Sequence, residues 1–300
     1  MSLPKRLLLP LSVLSLVVWA LSAMREDSTT YRATVEKWRQ AYQEKLLADD
    51  GWLTISGLFW LHEGQNTFGG DPADDIVLPE GSAPAGAGYF DLRAGKITIH
   101  VNPGARITMG GKPVDTAELQ PDSKNSRLAA GGVLMWIHAS GPRFTVRLWD
   151  KNSAVRKSFS GLHWFPVDES YRVAARYTAY EVAKEIDIQN LAGDPLKAQV
   201  SGYVTFTLHG QDLRLDAQAD EKRRLSFIFR DLTSGKETYG AGRELDTEPV
   251  AADGSVFLDF NEANNPPCAY NPYTTCPIPP PQNRLHVRVE AGEMNYRHDH

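Results

Sequence analysis

Cysteine is nearly absent from this 300-residue chain: only Cys268 and Cys276 occur, so at most one internal bridge can form. Known catalytic signatures are missing as well. There is no Gly-x-Ser-x-Gly elbow, no phosphate-binding glycine loop and no His-Glu-x-x-His. Positive charge is not in excess, since the formal net charge is −5 at pH 7. An acidic protein is poorly suited to coat a phosphate backbone or an anionic membrane surface, which excludes nucleic acid as a partner. Internal repeats are also absent. What is present is 42% hydrophobic and 23% charged, enough for a real core. The length suits two modest domains or one large all-β domain.

The first two dozen residues differ from the rest. Lys5 and Arg6 precede an apolar run from Leu7 to Val18, broken by Pro10 and two serines. Ala20-Leu21-Ser22-Ala23 then offers small residues. Residues 1–24 are therefore expected to be a signal peptide or a membrane anchor. The basic pair ahead of the run sets the expected orientation, with the remainder exported, either periplasmic or anchored to the inner membrane facing outward. Membrane contact is expected only through this segment if it stays uncleaved. No cysteine follows the run, which excludes a lipoprotein anchor. Removing two basic residues and no acidic one takes the net charge from −5 to −7.

Residues 25–50 predict an amphipathic helix. Val35, Trp38, Tyr42 and Leu46 recur at three- and four-residue steps, and Asp27 or Ser28 is placed to cap it. The stripe is expected to pack on the domain that follows. From Gly51 to Asp150 the pattern changes to short β-like runs separated by turn residues such as Gly69-Gly70-Asp71-Pro72 and Gly110-Gly111. A β-sandwich is expected there. Residues 151–300 continue with period-two runs at 171–177, 203–208, 225–230 and 256–261. They predict a second antiparallel β domain, a barrel or a sandwich. The fold class is all-β.

The 64–69 run Gly-Gln-Asn-Thr-Phe-Gly, the 74–79 run Asp-Asp-Ile-Val-Leu-Pro and the turn at 110–114 resemble a forkhead-associated domain. Such domains read phosphothreonine with an arginine after the first glycine. Here Gly70 stands in that place, and Ser82-Ala83-Pro84-Ala85-Gly86 occupies the recognition loop. Without a guanidinium fork, phosphopeptide reading is excluded and the sandwich is a scaffold.

The densest chemistry lies near the C-terminus. Leu258-Asp259-Phe260-Asn261 is followed by Asn264-Asn265-Pro266-Pro267-Cys268-Ala269-Tyr270, then Cys276-Pro277 and Asn283-Arg284-Leu285. Seven of the 19 prolines fall between residues 266 and 281, which makes this a stiff loop. With Thr233-Ser234-Gly235 and Thr238-Tyr239-Gly240-Ala241-Gly242-Arg243, these motifs resemble the uncharacterised domain-of-unknown-function family 1684, over roughly Trp52 to Glu293. The resemblance implies kinship and no reaction.

On a continuous strand from Val256 to Asn261, Asp259 and Asn261 share a face about 6.6 Å apart. They can converge on one group, with Arg243 and Tyr239 as partners. Candidate ligand-binding residues are Tyr239, Arg243, Asp259, Asn261, Asn264, Asn265, Tyr270 and Asn283. The competing reading is that these groups satisfy the backbone of the loop itself. Cys268 and Cys276 are expected to form a disulfide outside the cytoplasm. No metal site is expected, since a Cys–Cys–His286 set lacks finger or ribbon spacing, and no cofactor is implied. The expected function is a small-ligand-binding or structural module of the bacterial envelope centred on residues 239–284, with a small polar ligand as partner. Two alternatives stand beside it. One is a hydrolase-type enzyme with Asp259 as general base and Arg243 stabilising negative charge. The other is a metal or redox role for the cysteine pair. Enzymatic activity is left open.

Overall fold

The computed structural model describes residues 11–296, with side chains from Ser28 onward. The leader expected at 1–24 and the tail histidines His298 and His300 lie outside the residues whose side chains are described. One helix spans Leu11–Leu47. No glycine or proline interrupts that stretch, so nothing ends the helix before Asp27. Asp27 and Ser28 are helix-interior residues and not caps, contrary to expectation. Among the described residues, no helix is long and apolar enough to cross a membrane.

Residues 55–150 form two facing sheets. One has the strand order 55–60, 143–150, 133–140, 128–130, 107–109, 112–113, and the other 76–77, 64–69, 88–93, 96–101, 116–119. All pairings are antiparallel except that between 64–69 and 76–77. Phe68, Phe90, Ile97 and Ile99 from one sheet meet Met135, Ile137, Val146 and Leu148 from the other in one buried core. Alternation does this: the odd residues of Val133–Ser140 face the core, and the even ones face outward.

The second half is built on a six-stranded antiparallel sheet. Its order is 243–246, 225–229, 211–219, 195–208, 172–189, 255–259. Strands Arg172–Gln189 and Pro195–Leu208 make a long hairpin whose register shifts between Ala179 and Lys184. Val204, Phe206, Leu215, Phe227, Phe229 and Leu258 face the core, where Leu285, Val287 and Val289 of the C-terminal segment close over them. Only part of the sheet is covered by this segment, so the sheet forms a half-barrel.

The helix docks on this second half and not on the sandwich that follows it in sequence. Trp38 stacks on Tyr42 at 5.5 Å and meets the edge of Trp164 at 6.0 Å. Polar partners explain the choice: Tyr31, Arg39 and Tyr42 all bond to residues 259–265. The two halves are clamped by Asp194, which accepts from Ser140 Oγ at 2.7 Å and from Arg143 Nε at 2.6 Å. Asn271 adds a second clamp by donating to the carbonyls of Trp52 and Ile55.

Candidate functional site

The expected strand from Val256 to Asn261 stops at Asp259, and Phe260–Glu262 is a 3-10 turn. Asp259 caps that turn by accepting from the Asn261 amide at 3.1 Å. The two side chains therefore meet through a turn and not across a strand face. Asn261 Nδ2 also donates to Asp259 at 3.1 Å, to Tyr31 Oη at 2.9 Å and to the Asp168 carbonyl at 2.8 Å. Tyr31 donates its hydroxyl to Asp259 at 2.9 Å. Burial, and the adjacent Asp259 charge, push the Tyr31 phenol up. Arg39 finishes the group by donating to the Asn261 carbonyl.

A second network lies one turn further on. Asn264 Nδ2 donates to Tyr42 Oη at 3.0 Å, and Tyr42 donates to the Asn265 carbonyl at 3.0 Å. Asn265 gives its backbone N–H and its side-chain amide to the two oxygens of Glu293, at 2.9 and 2.8 Å. Tyr270 donates to the same carboxyl at 2.6 Å. Glu293 has no exposed surface, and burial pushes its carboxyl up to about 8. Gly292 makes this approach possible: at φ 77° it lies in the left-handed region, and a Cβ there would meet the Phe260 carbonyl at 2.6 Å.

Arg243 stands apart from Asp259. It pairs with Asp231 at 2.7 Å, both side chains fully buried, and donates to the carbonyls of Val289 and Ala291. Asp231 is held in turn by the Thr233 amide at 2.6 Å. Tyr239 donates to the Cys268 carbonyl at 3.1 Å. Asn283 staples the loop to two strands, bonding the Asp216 amide and the carbonyls of Asp216 and Ile228. The eight residues singled out from the sequence thus bond within the protein and surround no common cavity. The carbonyls of Pro266, Pro267 and Pro280 take backbone amides, and these Asn, Tyr and Arg side chains answer other carbonyls, those of Cys268, Val289, Ala291, Met294, Asp216 and Ile228. Asp259 and Arg243 belong to separate networks.

Cys268 and Cys276 are separate thiols side by side, with the Cys268 amide donating to Cys276 Sγ at 3.3 Å. The hydrogen bond from Cys268 to Cys276 pushes the first thiol up and holds the second below its usual value. Among the described residues, no cluster of three His, Cys, Asp or Glu side chains is arranged to hold a metal ion. His286 is exposed.

An open cavity lies beside this loop. The bent arm of the long hairpin brings Ile186, Ile188, Ala198 and Val200 over strands 216–218, 226–228 and 244–246, and Pro277 and Pro280 close one side. It has a volume of about 280 Å³. Its charged lining is acidic: Asp216, Glu244 and Asp246. Asp216 is paired with Arg214 at 2.9 Å. Glu244 is cross-strand from Ile228 and makes no side-chain hydrogen bond or ion pair among the described residues. Burial, reinforced by Asp246 and opposed by Lys45, pushes its carboxyl up to about 7.

Residues 157–294, which hold this cavity and all of both networks except Tyr31, Arg39 and Tyr42 of the helix, match the family described as "Protein of unknown function (DUF1684)". The chain belongs to that family. The match begins at 157 and not near Trp52, so the sandwich lies outside it. A solution NMR structure of an uncharacterized protein from Haloarcula marismortui shares 37% identity with the chain. That likeness covers 46% of this chain and 78% of that one, with a TM-score of 0.39. No curated protein matches.

Within the DUF1684 half, sequence reasoning missed Glu244 and the apolar arm. Glu244 alternates with buried Arg243 and Leu245, the pattern of a solvated outer face. Only the bend after Ala179 folds the arm over that face, and no motif announces the bend.

Proposed function

We propose that the DUF1684 half is a small-ligand-binding module, and that its ligand is a small organic cation held in the cavity under the hairpin arm. The observation that carries this reading is Glu244, an unpaired carboxyl in a cavity with no basic lining residue. A half-buried carboxylate without a partner is costly, and an ammonium group supplies the missing charge-assisted bond. The apolar body of the ligand then lies against Ile186, Ile188, Val200 and Pro280. A few polar groups in an apolar cleft is the usual make-up of such sites.

Thermal denaturation with n-butylamine and cyclohexylamine tests the idea, with n-pentanol as the neutral control. The amines should raise the melting temperature saturably, as ligands of the folded state do. The alcohol should not, and Glu244→Gln should abolish the effect. No shift from either amine, or an equal shift from the alcohol, refutes the reading.

We further propose that the protein is exported, on the strength of Lys5, Arg6 and the apolar run behind them. Cleavage after Ala23 leaves Tyr31, Arg39 and Tyr42, which bond to residues 259–265, in the chain. Residues 1–50 fused to alkaline phosphatase, which is active only after export, should give activity; an inactive fusion that accumulates in the cytoplasm refutes export.

A further inference from the structure

The outer face of the sandwich sheet carries a different chemistry. Strands Val133–Ser140 and Arg143–Asp150 pair so that Leu134 lies opposite Trp149, Trp136 opposite Arg147, and His138 opposite Thr145. All of these face away from the sandwich core. Trp52, in the turn after the helix, stands at the rim of the same hollow, with Asp50, Asp122 and Arg127 around it. The cavity has a volume of about 390 Å³. Its position beside the half-barrel is fixed, because Asn271 holds the Trp52 carbonyl and Thr275 Oγ1 lies 3.4 Å from His138 Nε2.

Arg147 is the unusual member. It is 6% exposed and makes no hydrogen bond or ion pair with any described residue. Its Nε is buried without a partner. Its guanidinium carbon stands 5.9 Å from the ring centres of both Trp52 and Trp149. Facing indoles offset only part of the cost of a buried cation. The neighbouring charges are already engaged or outside. Asp122 is bonded to His138 Nδ1 at 2.7 Å and accepts from the Ala139 amide at 3.2 Å, and Asp50 is exposed. Burial holds the His138 imidazole below its usual value. Arg127 lies 4.0 Å over Trp136, whose indole N–H is buried and unpartnered. The cavity therefore offers two guanidinium groups among the rings of Trp52, Trp136 and Trp149, and Arg147 feels the Asp122 charge without a hydrogen bond or ion pair to it.

We propose that this cavity binds a small carboxylate carried on a six-membered ring, with the carboxylate on Arg147 and the ring against Trp52, Trp136 and Trp149. Planar guanidinium and carboxylate groups match in a bidentate pair, and indole faces accept either an aromatic ring or the C–H face of a sugar. The site lies outside the DUF1684 half and is independent of the amine cavity.

Tryptophan fluorescence excited at 295 nm, with thermal denaturation alongside, reads occupancy directly. Benzoate and glucuronate are the probes, with benzamide and methyl glucoside as their neutral analogues. At least one acid should give a saturable change, and its analogue should bind roughly tenfold or more weakly, the usual loss for a missing charged hydrogen bond. Benzoate alone identifies an aromatic acid, and glucuronate alone a sugar acid. Arg147→Met should remove the preference for the acid while keeping the apolar packing. No saturable change from either acid, equal binding of the neutral analogues, or an undiminished preference in folded Arg147→Met overturns the proposal. The wild-type comparison decides the matter if the variant does not fold.

Discussion

Replacing Glu293 by glutamine should destabilise the protein at pH 5 and stabilise it at pH 9. The native carboxyl titrates at about 8 against 4.5 for the free group. Between those values the folded state holds a proton that the unfolded state has released. The unfolded chain binds fewer protons there, so stability falls as pH rises through this window. At ~1.4 kcal/mol per pH unit, the full span amounts to about 5 kcal/mol, lost by pH 8 and above.

Glutamine removes that titration and also removes an acceptor. Each oxygen of Glu293 accepts from an Asn265 N–H, and the Tyr270 hydroxyl donates to the same carboxyl. A protonated carboxyl keeps a lone pair on both oxygens, whereas the amide nitrogen of glutamine faces an Asn265 N–H with none. That mismatch costs about 1–3 kcal/mol at every pH. The variant should therefore be up to about 2 kcal/mol less stable at pH 5 and about 2–4 kcal/mol more stable at pH 9. Urea unfolding of both proteins at pH 5, 7 and 9 measures this, since other titrating groups cancel in the difference. Parallel stability profiles would show that Glu293 is ionised in the native state and would refute the argument.

Two further outcomes follow from the buried groups. Arg243→Met should cost about 3–5 kcal/mol, because Asp231 is left buried and charged, and Asp231→Leu in the same chain should recover most of the loss; a single-variant loss below about 1 kcal/mol in urea unfolding would contradict the pairing. Oxidation with a glutathione redox buffer should close Cys268 to Cys276, abolish both thiols in a denatured thiol titration and add roughly 2.6 kcal/mol for a nine-residue loop; two titratable thiols after oxidation would show that the pair does not close.

The helix shows where sequence reading is strong and where it stops. Val35 and Leu46 are buried as their spacing predicts. Where the helix docks was not legible, because Tyr31, Arg39 and Tyr42 find their acceptors in residues more than 200 positions away. The C-terminal loop shows the same division. Its polar residues are ordered together, as their density suggests, yet non-proline carbonyls, turn amides and the buried Glu293 carboxyl absorb them, and the open carboxyl is Glu244. In the sandwich, alternation made the strands legible but could not reveal that Trp52, Trp136, Arg147 and Trp149 gather around one hollow.

The all-β class, the helix and the stiff C-terminal loop were determined by local pattern alone. Periodicity and turn chemistry are properties of neighbouring residues, and they survive any rearrangement of the larger parts. Which outward side chains became enclosed was decided only by tertiary structure. An exposed face turns into a cavity when a distant segment bends over it, and that depends on contacts between residues far apart in the chain.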